Sequence, residues 1–73
     1  MSHVVSAEIV ASVLSVDVAV GDRVAADTTV VVLESMKMEI PVLADAPGVV
    51  REVVVGAGDV VHDGDPLVII DED

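Results

Sequence analysis

Two stretches of the chain follow one pattern: HVVSAEIVASVLSVDVAVGDRVAADTTVVVLESM, residues 3–36, and IPVLADAPGVVREVVVGAGDVVHDGDPLVIIDED, residues 40–73. They align without a gap at a displacement of 37 positions. Val5 then falls on Val42, Ala7 on Ala44, and Val13, Val16 and Val18 on Val50, Val53 and Val55. Gly21-Asp22-x-Val24 falls on Gly58-Asp59-x-Val61, Val31 on Val68, Glu8 on Asp45 and Glu34 on Asp71. Chance among many valines explains the shared Gly-Asp-x-Val least. An internal repeat has to be recognised before any strand is assigned, because it sets the architecture.

Each half reads as a short strand, a longer strand, a Gly-Asp turn, a brief extended piece and a final apolar strand. Valine dominates the apolar residues, and branching at Cβ suits a pleated sheet better than a helix. In Val13–Val18 and Val49–Val55, Ser15, Asp17, Arg51 and Glu52 interrupt the apolar residues, as in strands wetted on one face. Gly21, Gly56, Gly58 and Gly64 stand where turns call for positive φ or a close approach. Pro41, Pro47 and Pro66 stand near strand starts or edges, where a missing N–H does least harm. Neither half can bury its apolar face alone. The expected fold is all-β: two sheets packed face to face about a pseudo-two-fold axis, as a small flattened barrel or sandwich.

Seventy-three residues suffice for one domain spanning 1–73, and a chain this short buries only about 60% of the surface its unfolded form exposes. With no cysteine, neither a disulfide framework nor a thiolate metal site can staple it. The net charge of −11 and the absence of Phe, Tyr and Trp exclude nucleic acid and anionic membranes as partners. Such a chain repels phosphates and has no ring on which a base could stack. Acidic or turn residues break every apolar run well short of the roughly 20 residues of a spanning helix. The opening MSHVVSAEIV lacks the charged and long apolar regions of a signal peptide, so a cytoplasmic location is expected.

Between the halves lies Met36-Lys37-Met38, and Lys37 is the only lysine in the chain. Its repeat equivalent would lie one residue past Asp73, so the lysine turn and the chain termini are expected at symmetry-related, opposite ends. A tight hairpin normally uses Asn-Gly, Asp-Gly or paired glycines, because the turns that match strand twist need positive φ. Met-Lys meets none of these preferences, and two long apolar side chains at an exposed tip add nothing to a core. A local rule broken without structural gain marks a functional site.

Glu34-Ser35-Met36-Lys37-Met38-Glu39 closely resembles the attachment motif of the biotinyl domain, or biotin carboxyl carrier, family, in which the lysine between two methionines receives biotin through an amide bond. The paired Gly-Asp-x-Val turns and the two-fold repeat belong to that family too. The likeness covers essentially the whole chain and is greatest to short stand-alone biotinylated proteins of actinobacteria. It implies a barrel-sandwich hybrid of two four-stranded antiparallel sheets with Lys37 exposed at a hairpin tip. It also implies a carrier that is not itself an enzyme. A biotin protein ligase would attach biotin to Lys37 from biotinyl-AMP. The chain would then carry carboxybiotin between biotin carboxylase and carboxyltransferase sites, as a monomer. Glu34, Ser35, Met36, Met38 and Glu39 would serve recognition. A lysine is charged at neutral pH, so the ligase is expected to remove its proton before attack, with the acidic neighbours helping the ligase dock.

The sequence departs from the family pattern at three positions. Ser35 stands for the more frequent alanine, a small-for-small change. Ala11 stands opposite Gly48, and Asp27 opposite Gly64, so the loop before Thr28 is expected to differ from its counterpart. Neither a protruding thumb loop nor a long Ala/Pro-rich leader of the kind seen in some acetyl-CoA carboxylase carriers is expected. Two other readings stay open. One is a lipoyl carrier, disfavoured because lipoyl sites resemble Asp-Lys-Ala; the other is an unmodified interaction module with the tip as its contact surface. No catalytic residues and no metal site are expected. His3 and His62 lack partners and ligand spacing, the Asp59, Asp63 and Asp65 loop lacks the calcium-loop pattern, and Asp71-Glu72-Asp73 reads as a solvated tail.

Overall fold

The structure is a computed structural model describing residues 1–73. It contains eight strands and no helix: β1 (Ser2–Ser6), β2 (Ala11–Val16), β3 (Arg23–Val24), β4 (Thr29–Ser35), β5 (Met38–Leu43), β6 (Gly48–Val53), β7 (Val60–Val61) and β8 (Pro66–Glu72). They form two four-stranded sheets, ordered β1-β8-β6-β3 and β5-β4-β2-β7, with antiparallel pairing throughout. The repeat displacement carries β2, β3 and β4 onto β6, β7 and β8, and the first sheet order onto the second. No helix is present that could cross a membrane.

The halves are interleaved rather than stacked. Each sheet takes two strands from each half, so neither half builds a sheet of its own. The Gly-Asp turns are the clasps. Gly21 donates its amide to the Val50 carbonyl and Val50 returns one to the Asp22 carbonyl, both at 2.8 Å. Gly58 and Asp59 make the same exchange with Val13 at 2.8 Å. Each turn is built locally by its own motif. Gly21 and Gly58 take φ of +96° and +95°, which a side chain would disfavour, whereas Gly56 has neither a positive φ nor a close neighbour where a Cβ would stand. The Asp22 and Asp59 carboxylates accept the amides of Ala19 and Gly56 at 2.8 Å, as short acidic side chains do in turns. Val24 and Val61 are then buried at the end of each motif. In the acidic loop of Asp59, Asp63 and Asp65, Asp59 is thus a turn-builder, and Asp65 behaves likewise, accepting the His62 amide at 2.8 Å.

The core is aliphatic throughout, its largest fully buried members being Leu33, Leu67, Ile70, Val30, Val31, Val50, Val61 and Val68. No polar side chain is buried. Consecutive residues Val30-Val31 and Leu67-Val68 all point inward, although a regular strand alternates. The ladders skip Val30 against β5 and Leu67 against β1, and one extra residue at a bulge re-aims the next side chain. The long strands end two residues earlier than the sequence suggests and begin earlier too, by two residues in β2 and by one in β6. Val18 and Val55 leave the ladders and pack against the core from the flanking segments.

The departures from exact repetition have structural consequences. Gly64 takes φ of +91° and donates to the Ala7 carbonyl at 2.8 Å, whereas Asp27 does not enter the left-handed region. On that side the left-handed residue is Asp45, with φ of +65° and its amide on the Ala26 carbonyl at 2.9 Å.

Candidate functional site

The lysine hairpin grows from β4, a central strand whose Val30, Val31 and Leu33 are fully buried. Its return strand β5 is an edge strand and tolerates Pro41, since a missing N–H on an edge breaks no second ladder. Ser35 pairs with Met38 and Glu34 with Glu39, which leaves Met36 and Lys37 as a two-residue loop. Their φ values are +53° and +64°. Positive φ at both central positions is the type I′ arrangement, adopted here without glycine or asparagine. Each such residue costs about 1–2 kcal/mol.

A second local cost sits one pair below. Glu34 and Glu39 are direct partners on the ladder, and like charges directly opposite are destabilising. The sequence placed both near Lys37 but did not show that they face one another. Lys37 neutralises neither: it is exposed and takes part in none of the ion pairs or side-chain hydrogen bonds of the molecule. Its amine is therefore free for chemistry. Met36 is 92% exposed and Met38 66% exposed, so neither belongs to the core. Ser35 is half-buried. The six residues singled out in the sequence thus come together at one hairpin tip.

Ala11 adds a feature that the sequence alone did not reveal. Its counterpart Gly48 pairs with Glu72, and a Cβ there would run into the Asp71 carbonyl. Ala11 has such a Cβ, and the β2–β4 ladder accordingly ends at Ser12–Glu34, one pair short of its counterpart. Ser35 and the loop beyond it are held by β5 alone. At the symmetry-related end the chain termini meet, with the Glu72 amide on the Met1 carbonyl at 2.7 Å and the Met1 ammonium 3.6 Å from Asp71.

The histidines take no part in the tip. His62 is exposed, with Nδ1 3.7 Å from Asp65 Oδ2, and His3 is half-buried on β1. No group of three or more His, Asp or Glu side chains is placed to hold a metal ion.

Residues 3–70 match the biotin/lipoyl family model described as "Biotin-requiring enzyme". The chain is 53% identical over 70 residues to the biotinylated protein TB7.3 homologue of Mycobacterium leprae, covering 96% of this chain and 99% of that one. Its fold superposes on the urea carboxylase of Kluyveromyces lactis with a TM-score of 0.91 and 31% identity, over 97% of this chain and 6% of the carboxylase. It also superposes on the lipoyl domain of the Azotobacter vinelandii 2-oxoglutarate dehydrogenase complex, with a TM-score of 0.72 and 33% identity, over 86% of this chain and 80% of that one. The chain belongs to the biotin/lipoyl attachment family.

Proposed function

We propose that the chain, as one attachment domain spanning residues 1–73, is a biotin carrier modified on Lys37 by a biotin protein ligase. The observation that carries this reading is the free amine of Lys37 on a two-residue turn, held between two exposed methionines at the expense of local stability. The relatives named as biotinylated and the carboxylase neighbour support it. In the attachment step Lys37 Nζ, its proton taken by the ligase, attacks the activated biotinyl carbonyl; a C–N bond forms and AMP departs. Lys37 would hold biotin by its side-chain amide, and the group would supply a carrier for carboxylate between two active sites.

The rest of the work is positional. The lysine side chain and the attached acyl chain, with bonds of about 1.5 Å each, reach on the order of 10 Å or more from the backbone. One ring can thereby visit a biotin carboxylase and a carboxyltransferase in turn. The domain supplies no catalyst; it works as a monomer in the cytoplasm. Met36, Met38 and Ser35 give the tip its shape and apolar contact surface. Glu34 and Glu39 give it the charge that a ligase with a basic face would read.

Intact mass of the protein co-expressed with a biotin protein ligase tests the assignment. One biotinyl group is expected on the wild type and none on Lys37→Arg. A lipoyl group on protein from its natural host would instead make it a lipoyl carrier, and no added mass would leave an interaction module. Glu39→Lys should slow biotinylation by about tenfold if the carboxylate docks the ligase, the scale of one charge-assisted contact; an unchanged rate removes that role.

A further inference from the structure

The tip holds two of the chain's three methionines, and the fold makes no use of either. The core is built from Val, Leu, Ile and Ala. Cysteine, tryptophan and tyrosine are absent from the chain. Thioether sulfurs are therefore the most readily oxidised groups in the molecule, and two of them flank Lys37 on exposed side chains. Met1, 88% exposed and located where the termini meet, is a built-in control away from the tip.

We propose that Met36 and Met38 form an oxidation site that governs attachment at Lys37: a hydroperoxide converts their thioethers to sulfoxides, and the sulfoxide tip is no longer accepted by the ligase. The inference rests on the reading of Lys37 as the attachment site. In each event the sulfur loses two electrons and gains one oxygen. The peroxide O–O bond breaks, and the oxidant leaves as water or an alcohol. A thiol-dependent sulfoxide reductase reverses the change, the oxygen leaving as water while two thiols become a disulfide.

The chemistry of the contact gives the effect its sign. A thioether is a flexible apolar group suited to burial against a partner. A sulfoxide brings a strong hydrogen-bond acceptor into the same contact, and an acceptor buried without a donor is penalised. The folded domain escapes that penalty, because at the tip the new oxygens stay in water. Oxidation is thus felt in recognition and not in folding, the arrangement a reversible control needs.

The test uses the unbiotinylated protein, dilute hydrogen peroxide as oxidant, and a purified biotin protein ligase. Peptide mass mapping should show sulfoxide at Met36 and Met38. The melting temperature should stay within about 2 °C, kcat/KM for biotinylation should fall about tenfold or more, and sulfoxide reductases should restore it. A Met36→Leu/Met38→Leu variant, compared with itself before and after peroxide, should show no change, because only Met1 is left to oxidise. Equal rates for oxidised and unoxidised wild type would overturn the proposal. So would a melting temperature that drops with the rate, or a peroxide-sensitive double Leu variant. If the unoxidised protein accepts no biotin, the reading of Lys37 itself fails and takes this one with it, an outcome distinct from the other three.

Discussion

Gly48→Ala is a small change with a large expected effect. Gly48 opens β6 with Val24 of β3 on one side and Glu72 of β8 on the other. A Cβ there would overlap the Asp71 carbonyl oxygen and lie 2.9 Å from its carbon and 3.0 Å from the Glu72 Cα. All three are backbone atoms, so no side chain can rotate aside, and the end of β8 has to move. That movement forfeits one or two ladder hydrogen bonds at about 1 kcal/mol each. Residual overpacking adds about 1–3 kcal/mol. The sum is about 2–5 kcal/mol, and at about 4–8 °C per kcal/mol for a domain of this size the melting temperature should fall by about 8–40 °C. Far-UV circular dichroism is the suitable probe, because the chain has no aromatic residue to fluoresce. Ala11→Gly, at the repeat-equivalent position where the ladder already stands open, should cost only about 1 kcal/mol. A fall of less than about 4 °C for Gly48→Ala would refute the close-approach reasoning, as would equal effects at the two positions.

Replacing Met36-Lys37 by Asn-Gly should raise stability by about 1–2 kcal/mol while abolishing attachment, because both positions have positive φ that Asn and Gly adopt readily; an unchanged or lower urea midpoint would show that the native turn carries no strain. Asp22→Ala and Asp59→Ala should each cost about 1 kcal/mol in urea unfolding through loss of the turn hydrogen bond. A clear difference between these two would mean that the clasps are not equivalent.

Much of the fold was legible because the repeat is written in residue types that act locally. Gly21, Gly58, Asp22 and Asp59 build their turns from their own φ and their own carboxylates, and the valines prefer strands wherever the chain leads. The tip was legible for the opposite reason. Met36 and Lys37 are poor turn residues, so the place where they stand announced a role other than folding. By itself, then, the sequence determined an all-β repeat with one free lysine at its joint. Only the tertiary structure decided that the halves interleave, that the Gly-Asp turn of each half clasps the long strand of the other, that Glu34 faces Glu39, and that the ladder beside Ala11 stops one pair early. The Glu34–Glu39 pair depends on the register set by the two-residue loop; the others depend on which backbone groups meet across long separations in the chain. Pairing of that kind is settled by packing and register between distant segments, and no local pattern of residues records it.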